Sequence, residues 1–136
     1  MGVVITGQYV QGLSMEMTHE LSGVSIVTDP PLDNGGQGAS FSPTDLIATG
    51  LGSCMMSIVA IQAKKDNIDL KGMSVRVEKH MSADLPRRIV KLDVDLTFPA
   101  SLPQDYRLKY IAAAENCPVI HSLEKSMAIS KNYHYR

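Results

Sequence analysis

Val90, Leu92, Val94, Leu96 and Phe98 alternate without a break with Lys91, Asp93, Asp95 and Thr97. This period of two is the signature of a strand with one buried face. A weaker alternation marks residues 13–19, and residues 73–81 place Val75 and Val77 on one face with Arg76 and Glu78 on the other. Residues 3–10 also read as a strand, weakened by Gly7. Residues 24–28 return as a short strand after the turn Leu21-Ser22-Gly23, and Asp29-Pro30-Pro31 stops them. At the end of the chain, Ile129, Lys131, Tyr133 and Tyr135 share one face of a last strand. Residues 32–41 carry Asn34-Gly35-Gly36-Gln37-Gly38, too rich in glycine for regular structure, and read as a mobile loop feeding the next helix.

That helix has an explicit start. Ser42 suits the N-cap, Pro43 the first helical position, and Asp45 follows at the third residue beyond the cap, as in a capping box. The helix is expected to run to about Asp66. Residues 46–63 hold no charged side chain, a pattern that belongs either in lipid or deep inside protein. Thr49, Gly50, Gly52, Ser53, Ser57 and Gln62 interrupt the apolar run, and amphipathic strands flank it, so a core helix of a soluble protein is expected. A small sheet cannot cover such a helix on every side. The same helix of a second copy could, with Gly50 and Gly52 permitting close approach, in a symmetric homodimer. Two further helices are expected over residues 104–116 and 118–127, the second opened by Pro118. The order predicts an α+β fold, mainly antiparallel sheet around a long buried central helix, in one domain over residues 1–136.

Composition narrows the function classes. The net charge is −1 and no basic run occurs, which argues against nucleic acid or an anionic membrane surface as partner. Trp is absent and there are two Phe, so base-stacking platforms are poorly supported. The first residues lack the basic and long apolar segments of a secretory signal. Two cysteines without such a signal point to a reducing cytoplasm rather than a disulfide scaffold.

Those two cysteines carry the candidate chemistry. Cys54 lies about three turns into the apolar helix, beyond the reach of the helix dipole. It reads either as a small buried hydrophobe or as a thiolate activated by something outside its own turn. Cys117 precedes Pro118 at an N-cap, where unsatisfied backbone N–H groups favour a thiolate; a plain boundary residue is the other reading. Candidate activating groups are Arg87 and Arg88, which follow Pro86, together with Thr44 and Asp45. Asp45, nine residues before Cys54, projects from the opposite side of an ideal helix, so its influence would come across a dimer. His121, four residues after Cys117, could help poise that thiol. His19, His80, His121 and His134 show no tight ligand spacing, and no metal site is expected.

Ser42-Pro43-Thr44-Asp45-Leu46, Gly52-Ser53-Cys54 and the later Asn116-Cys117-Pro118-Val119 together resemble the OsmC/Ohr family, the osmotically inducible and organic hydroperoxide resistance proteins. The resemblance extends over nearly the whole chain, including the glycine-rich loop and Pro86-Arg87-Arg88. It implies an intertwined homodimer with active sites at the subunit interface, and thiol-dependent reduction of small, chiefly organic hydroperoxides in oxidative stress defence. In that scheme Cys54 is the peroxidatic thiolate and Cys117 resolves its sulfenic acid as a disulfide. An external dithiol, in the family often lipoyl-linked, restores the pair, and no metal, flavin or haem is required. Two positions depart from the hydroperoxide-resistance branch: Thr44 stands where that branch has Glu, with an acid shifted to Asp45, and the N-terminal region lacks its arginine. The alternative within the same fold is a dimer that senses redox state or binds a small ligand without turnover.

Overall fold

The computed structural model describes residues 1–136. The elements follow in the order β1 (Ile5–Gln11), β2 (Ser14–His19), β3 (Ser25–Thr28), α1 (Pro43–Asp66), β4 (Ser74–Met81), β5 (Ile89–Phe98), α2 (Arg107–Glu115), α3 (Pro118–Leu123) and β6 (Ala128–Tyr135). Short 3₁₀ turns occupy Leu32–Asn34 and Gln104–Tyr106. Two three-stranded sheets and one long helix make this an α+β protein, as the pattern predicts. Two compact units divide the chain, Met1–Leu46 and Ile47–Arg136.

The first unit is a meander, β1 antiparallel to β2 and β2 to β3. Its buried residues are Thr28, Asp29 and Ser42, all polar, while Ile5, Tyr9, Leu13, Val24, Ile26 and Val27 are exposed. The glycine-rich segment that follows is tied down more firmly than its composition suggests. The Asp29 carboxylate accepts the backbone N–H groups of Gln37 and Ala39, each at 3.0 Å. Only glycine fits at position 36, because a Cβ there would stand 1.7 Å from the Pro30 carbonyl oxygen. At the start of α1, Asp45 Oδ2 accepts the Ser42 N–H at 2.8 Å and the Asp45 N–H donates back to Ser42 Oγ at 3.1 Å. This is the reciprocal capping box read from the sequence.

The second unit holds the hydrophobic core. Leu92, Val94, Leu96 and Phe98 face inward from β5 and are fully buried, as the alternation requires. They meet Leu51, Met55, Val59 and Ala63 of α1, with Tyr110 and Ala114 of α2 and Ile120 of α3 completing the cluster. Each large side chain buried this way contributes about 1.5–3 kcal/mol. The sheets are mainly antiparallel, as expected; β6 is the exception and runs parallel to β5, because residues 99–127 form a helical crossover that returns the chain to the same end of the sheet. Within this chain α1 is buried along one face only, at Ala48, Leu51, Gly52, Met55, Val59 and Ala63, while Ile61 is 55 % exposed.

Gly52 marks where helix and sheet come closest. A Cβ there would lie 2.9 Å from Val77 Cγ2 and 3.2 Å from Val75 Cγ1, whereas at Gly50 it would meet nothing within 4 Å. Overpacking of this kind costs roughly 1–3 kcal/mol, set against a gain of about 1 kcal/mol in helix propensity. Gly52→Ala is therefore expected to destabilise the protein by about 1 kcal/mol and Gly50→Ala to stabilise it by a similar amount. Urea denaturation of both variants checks the pair; a destabilised Gly50→Ala protein would reveal a second surface packed on that turn.

Candidate active site

Two backbone accidents bring the thiols together. Gly52 seats the middle of α1 close to its sheet, and Cys54 lies half-buried beside the core. The chain then leaves α2 at Asn116 and turns into α3 through Cys117, whose extended backbone (φ −73°, ψ 131°) and following Pro118 make it the N-cap. The Cys117 side chain is fully buried and lies within hydrogen-bonding reach of the Cys54 sulfur.

The electrostatics of the pair are unequal. Burial pushes the Cys117 thiol above its ordinary pKa, and the neighbouring Cys54 sulfur adds to the shift by accepting its S–H. The Ile120 and Val119 backbone N–H groups face the Cys117 sulfur and offset part of this without closing a formal cap hydrogen bond. Cys117 is thus held as a protonated thiol at neutral pH, next to a sulfur that solvent reaches more easily. The expectation of a thiolate at the N-cap fails because desolvation outweighs the two backbone dipoles.

The surrounding candidates fall elsewhere. His121 Nε2 bonds Asn116 Oδ1 at 2.9 Å, so the imidazole spans the α2–α3 corner rather than serving Cys117. Asp45 is engaged in the helix cap, and Thr44 Oγ1 lies 3.2 Å from Ser42 Oγ in the same turn. Arg87 and Arg88 are exposed in the β4–β5 turn. There Arg88 pairs with Asp84 at 3.3 Å and donates to the Pro86 carbonyl at 2.9 Å. Asp66, at the end of α1, receives the Tyr110 hydroxyl and Lys109 ammonium, each at 3.0 Å, and anchors α2 to the helix that carries Cys54. One grouping escaped the sequence reading because its members are adjacent only across strands: His80 Nε2 lies 2.8 Å from Asp93 Oδ2 and 3.1 Å from Glu78 Oε1.

Comparison with known proteins follows the same residues. No curated protein matches the chain. A crystal structure from Psychrobacter arcticus 273-4, described as that of an osmotic stress induced and detoxification response protein, is 35 % identical, with a TM-score of 0.87 over 100 % of this chain and 98 % of its own. The organic hydroperoxide resistance protein OsmC of Legionella pneumophila shares the fold at 20 % identity, TM-score 0.73, over 98 % of this chain and 97 % of that one. So does the organic hydroperoxide resistance protein OhrB of Bacillus subtilis, at 17 % identity and TM-score 0.67, over 100 % of this chain and 98 % of its own. The family of OsmC-like proteins matches residues 36–131, a stretch that begins in the glycine-rich loop, takes in both cysteines and closes within β6. With that match and a 35 % identical relative along its whole length, the chain belongs to the OsmC-like protein family.

Proposed function

We propose that this protein is a thiol-dependent peroxidase for organic hydroperoxides, acting in oxidative stress defence. The observation that carries the reading is the contact of a half-buried Cys54 with a fully buried, protonated Cys117 in a family that includes hydroperoxide resistance proteins. The Cys54 thiolate attacks the distal peroxide oxygen. The O–O bond breaks, Cys54 becomes a sulfenic acid, and the alkoxide takes a proton to leave as alcohol. Cys117 then loses its proton and attacks the Cys54 sulfur, forming a disulfide and releasing water. A small dithiol, such as a lipoyl group, reduces the disulfide by exchange and departs as its own cyclic disulfide. The residues supply this without metal, flavin or haem.

The working form in this reading is a cytoplasmic homodimer. A second copy would cover the exposed apolar side of α1 and could bring Arg87 or Arg88, with Thr44 and Asp45, towards a thiol. A second reading keeps the thiol pair and drops turnover: Asp45 is committed to a cap and Arg88 to Asp84, which favours a redox sensor.

Cumene hydroperoxide added to reduced protein tests the scheme. Both thiols are expected to disappear together, with a mass loss of two hydrogens, and dihydrolipoamide should sustain repeated turnover. In Cys117→Ser the reaction should stop at a sulfenic acid on Cys54, one oxygen heavier and trappable by dimedone. Thiols that survive the peroxide would reject the chemistry, and oxidation without dithiol-driven turnover would assign the sensor.

A further inference from the structure

We propose that Glu78, His80 and Asp93 form a binding site for a divalent first-row transition ion, zinc or one of its neighbours, on the outer face of the β4–β5 sheet. The three donor atoms lie within 4.8 Å of one another. Glu78 and His80 are two residues apart on β4 and so project from one face, and Asp93 is the direct cross-strand partner of Glu78. An imidazole nitrogen with two carboxylate oxygens is a donor set that suits zinc, manganese, iron or cobalt.

The register gives an independent reason for a cation here. Arg76 faces Asp95, a complementary pair, but the next position on this face opposes like with like: Glu78 faces Asp93. Opposed like charges destabilise a sheet unless something stands between them. The orientation of the carboxylates is consistent with that role. Glu78 Oε2 is held by Arg76 at 2.8 Å, and Asp93 Oδ1 is held by Lys91 at 3.1 Å and by the Ser130 hydroxyl. The opposite oxygens, Glu78 Oε1 and Asp93 Oδ2, both converge on the single atom His80 Nε2. Nε2 carries one proton at most for the two oxygens, whereas a cation between them meets both. Partners on the far oxygens fix the ligating ones, as outer partners do around metal ligands.

Size fits as well. Metal–ligand bonds of about 2.0–2.2 Å in a tetrahedron place donors about 3.3–3.6 Å apart. The observed separations of 2.8 and 3.1 Å need to widen by roughly 0.2–0.8 Å, which half-exposed side chains can supply by small rotations. The site is open, with Glu78 46 % and His80 41 % exposed, so a fourth position remains for water.

Cobalt(II) chloride is the probe, titrated into the full chain with thiols reduced and free ion set by a competing chelator. Binding of one ion per chain is expected, with weak visible bands and no thiolate charge-transfer absorption in the near ultraviolet. His80→Ala and Asp93→Asn should each weaken it about tenfold or more. His134→Ala and Cys54→Ser should leave it unchanged. Circular dichroism confirms folding, and His80→Gln replaces any variant that fails to fold. No binding, binding indifferent to His80, or an absorption band of thiolate ligation that vanishes in Cys54→Ser would each overturn the site.

Discussion

Replacing Cys54 by serine is expected to abolish the fast loss of thiols to organic hydroperoxide, lowering the rate by about three orders of magnitude or more. That is the scale on which an enzyme loses rate when its covalent nucleophile is removed. A hydroxyl at this position is not ionised at neutral pH and forms no sulfenic acid. The remaining Cys117 cannot substitute. It is fully buried, and its pKa is raised by that burial, so it offers neither access nor thiolate. The measurement is stopped-flow mixing with cumene hydroperoxide, followed by thiol counting on reduced wild-type and variant proteins. Retention of wild-type rate in Cys54→Ser would move the nucleophile elsewhere and dissolve the two-thiol scheme. The contrast with Cys117→Ser is informative, because in the proposed scheme that variant should keep the first chemical step and lose only the second.

Truncation of Phe98 is the largest expected loss of stability. Its ring is fully buried at the end of β5, with the Tyr135 ring 5.5 Å and the Tyr133 ring 6.2 Å away, centroid to centroid. Phe98 and Tyr135 are partners in the parallel register, and the Arg136 N–H donates to the Phe98 carbonyl at 3.0 Å. The side chain therefore closes the core and fastens the last strand together. Phe98→Ala removes the transfer free energy of a ring and leaves a cavity, a combined cost of about 3–5 kcal/mol. Against a total stability of roughly 5–15 kcal/mol, the melting temperature should fall by roughly 10–20 °C. Leu108, 81 % exposed on α2, provides the comparison: Leu108→Ala should change stability by no more than about 0.5 kcal/mol. Calorimetry on both variants decides. A mild Phe98→Ala would mean that β6 is held mainly by its backbone ladder.

Most element identities are legible because their signals are local. The alternation along β5 depends only on which side chains face the core, and every residue it assigns inward from 92 to 98 is buried. Ser42, Pro43 and Asp45 announce a helix start through groups within four residues of each other, and the cap forms as read. Cys117 and Pro118 announce the next in the same way. Long-range choices leave no such mark. The direction of β6 is decided by the crossover before it, not by Ile129, Lys131, Tyr133 or Tyr135, which would look the same in either orientation. The contact between Cys54 and Cys117 likewise depends on how two helices pack on one sheet. Spacing along the chain gives no hint of it, although the paired motifs of the family do. The grouping of Glu78, His80 and Asp93 is hidden for the same reason: two neighbouring strands bring the side chains together, and no spacing within one segment marks them.

The N-terminal meander, whose buried residues are all polar, has a consequence for how the protein comes apart. Cooperative unfolding requires an element to share enough buried apolar surface with its neighbours that neither can open alone. Within its own unit the β1–β3 ladder has hydrogen bonds and cross-strand pairs but no apolar interior to lose. Its amides should therefore exchange with solvent through local openings far less costly than those that release β5, whose inward side chains are sealed. A complete ladder of backbone hydrogen bonds is thus no guarantee of slow exchange: these three strands should breathe first.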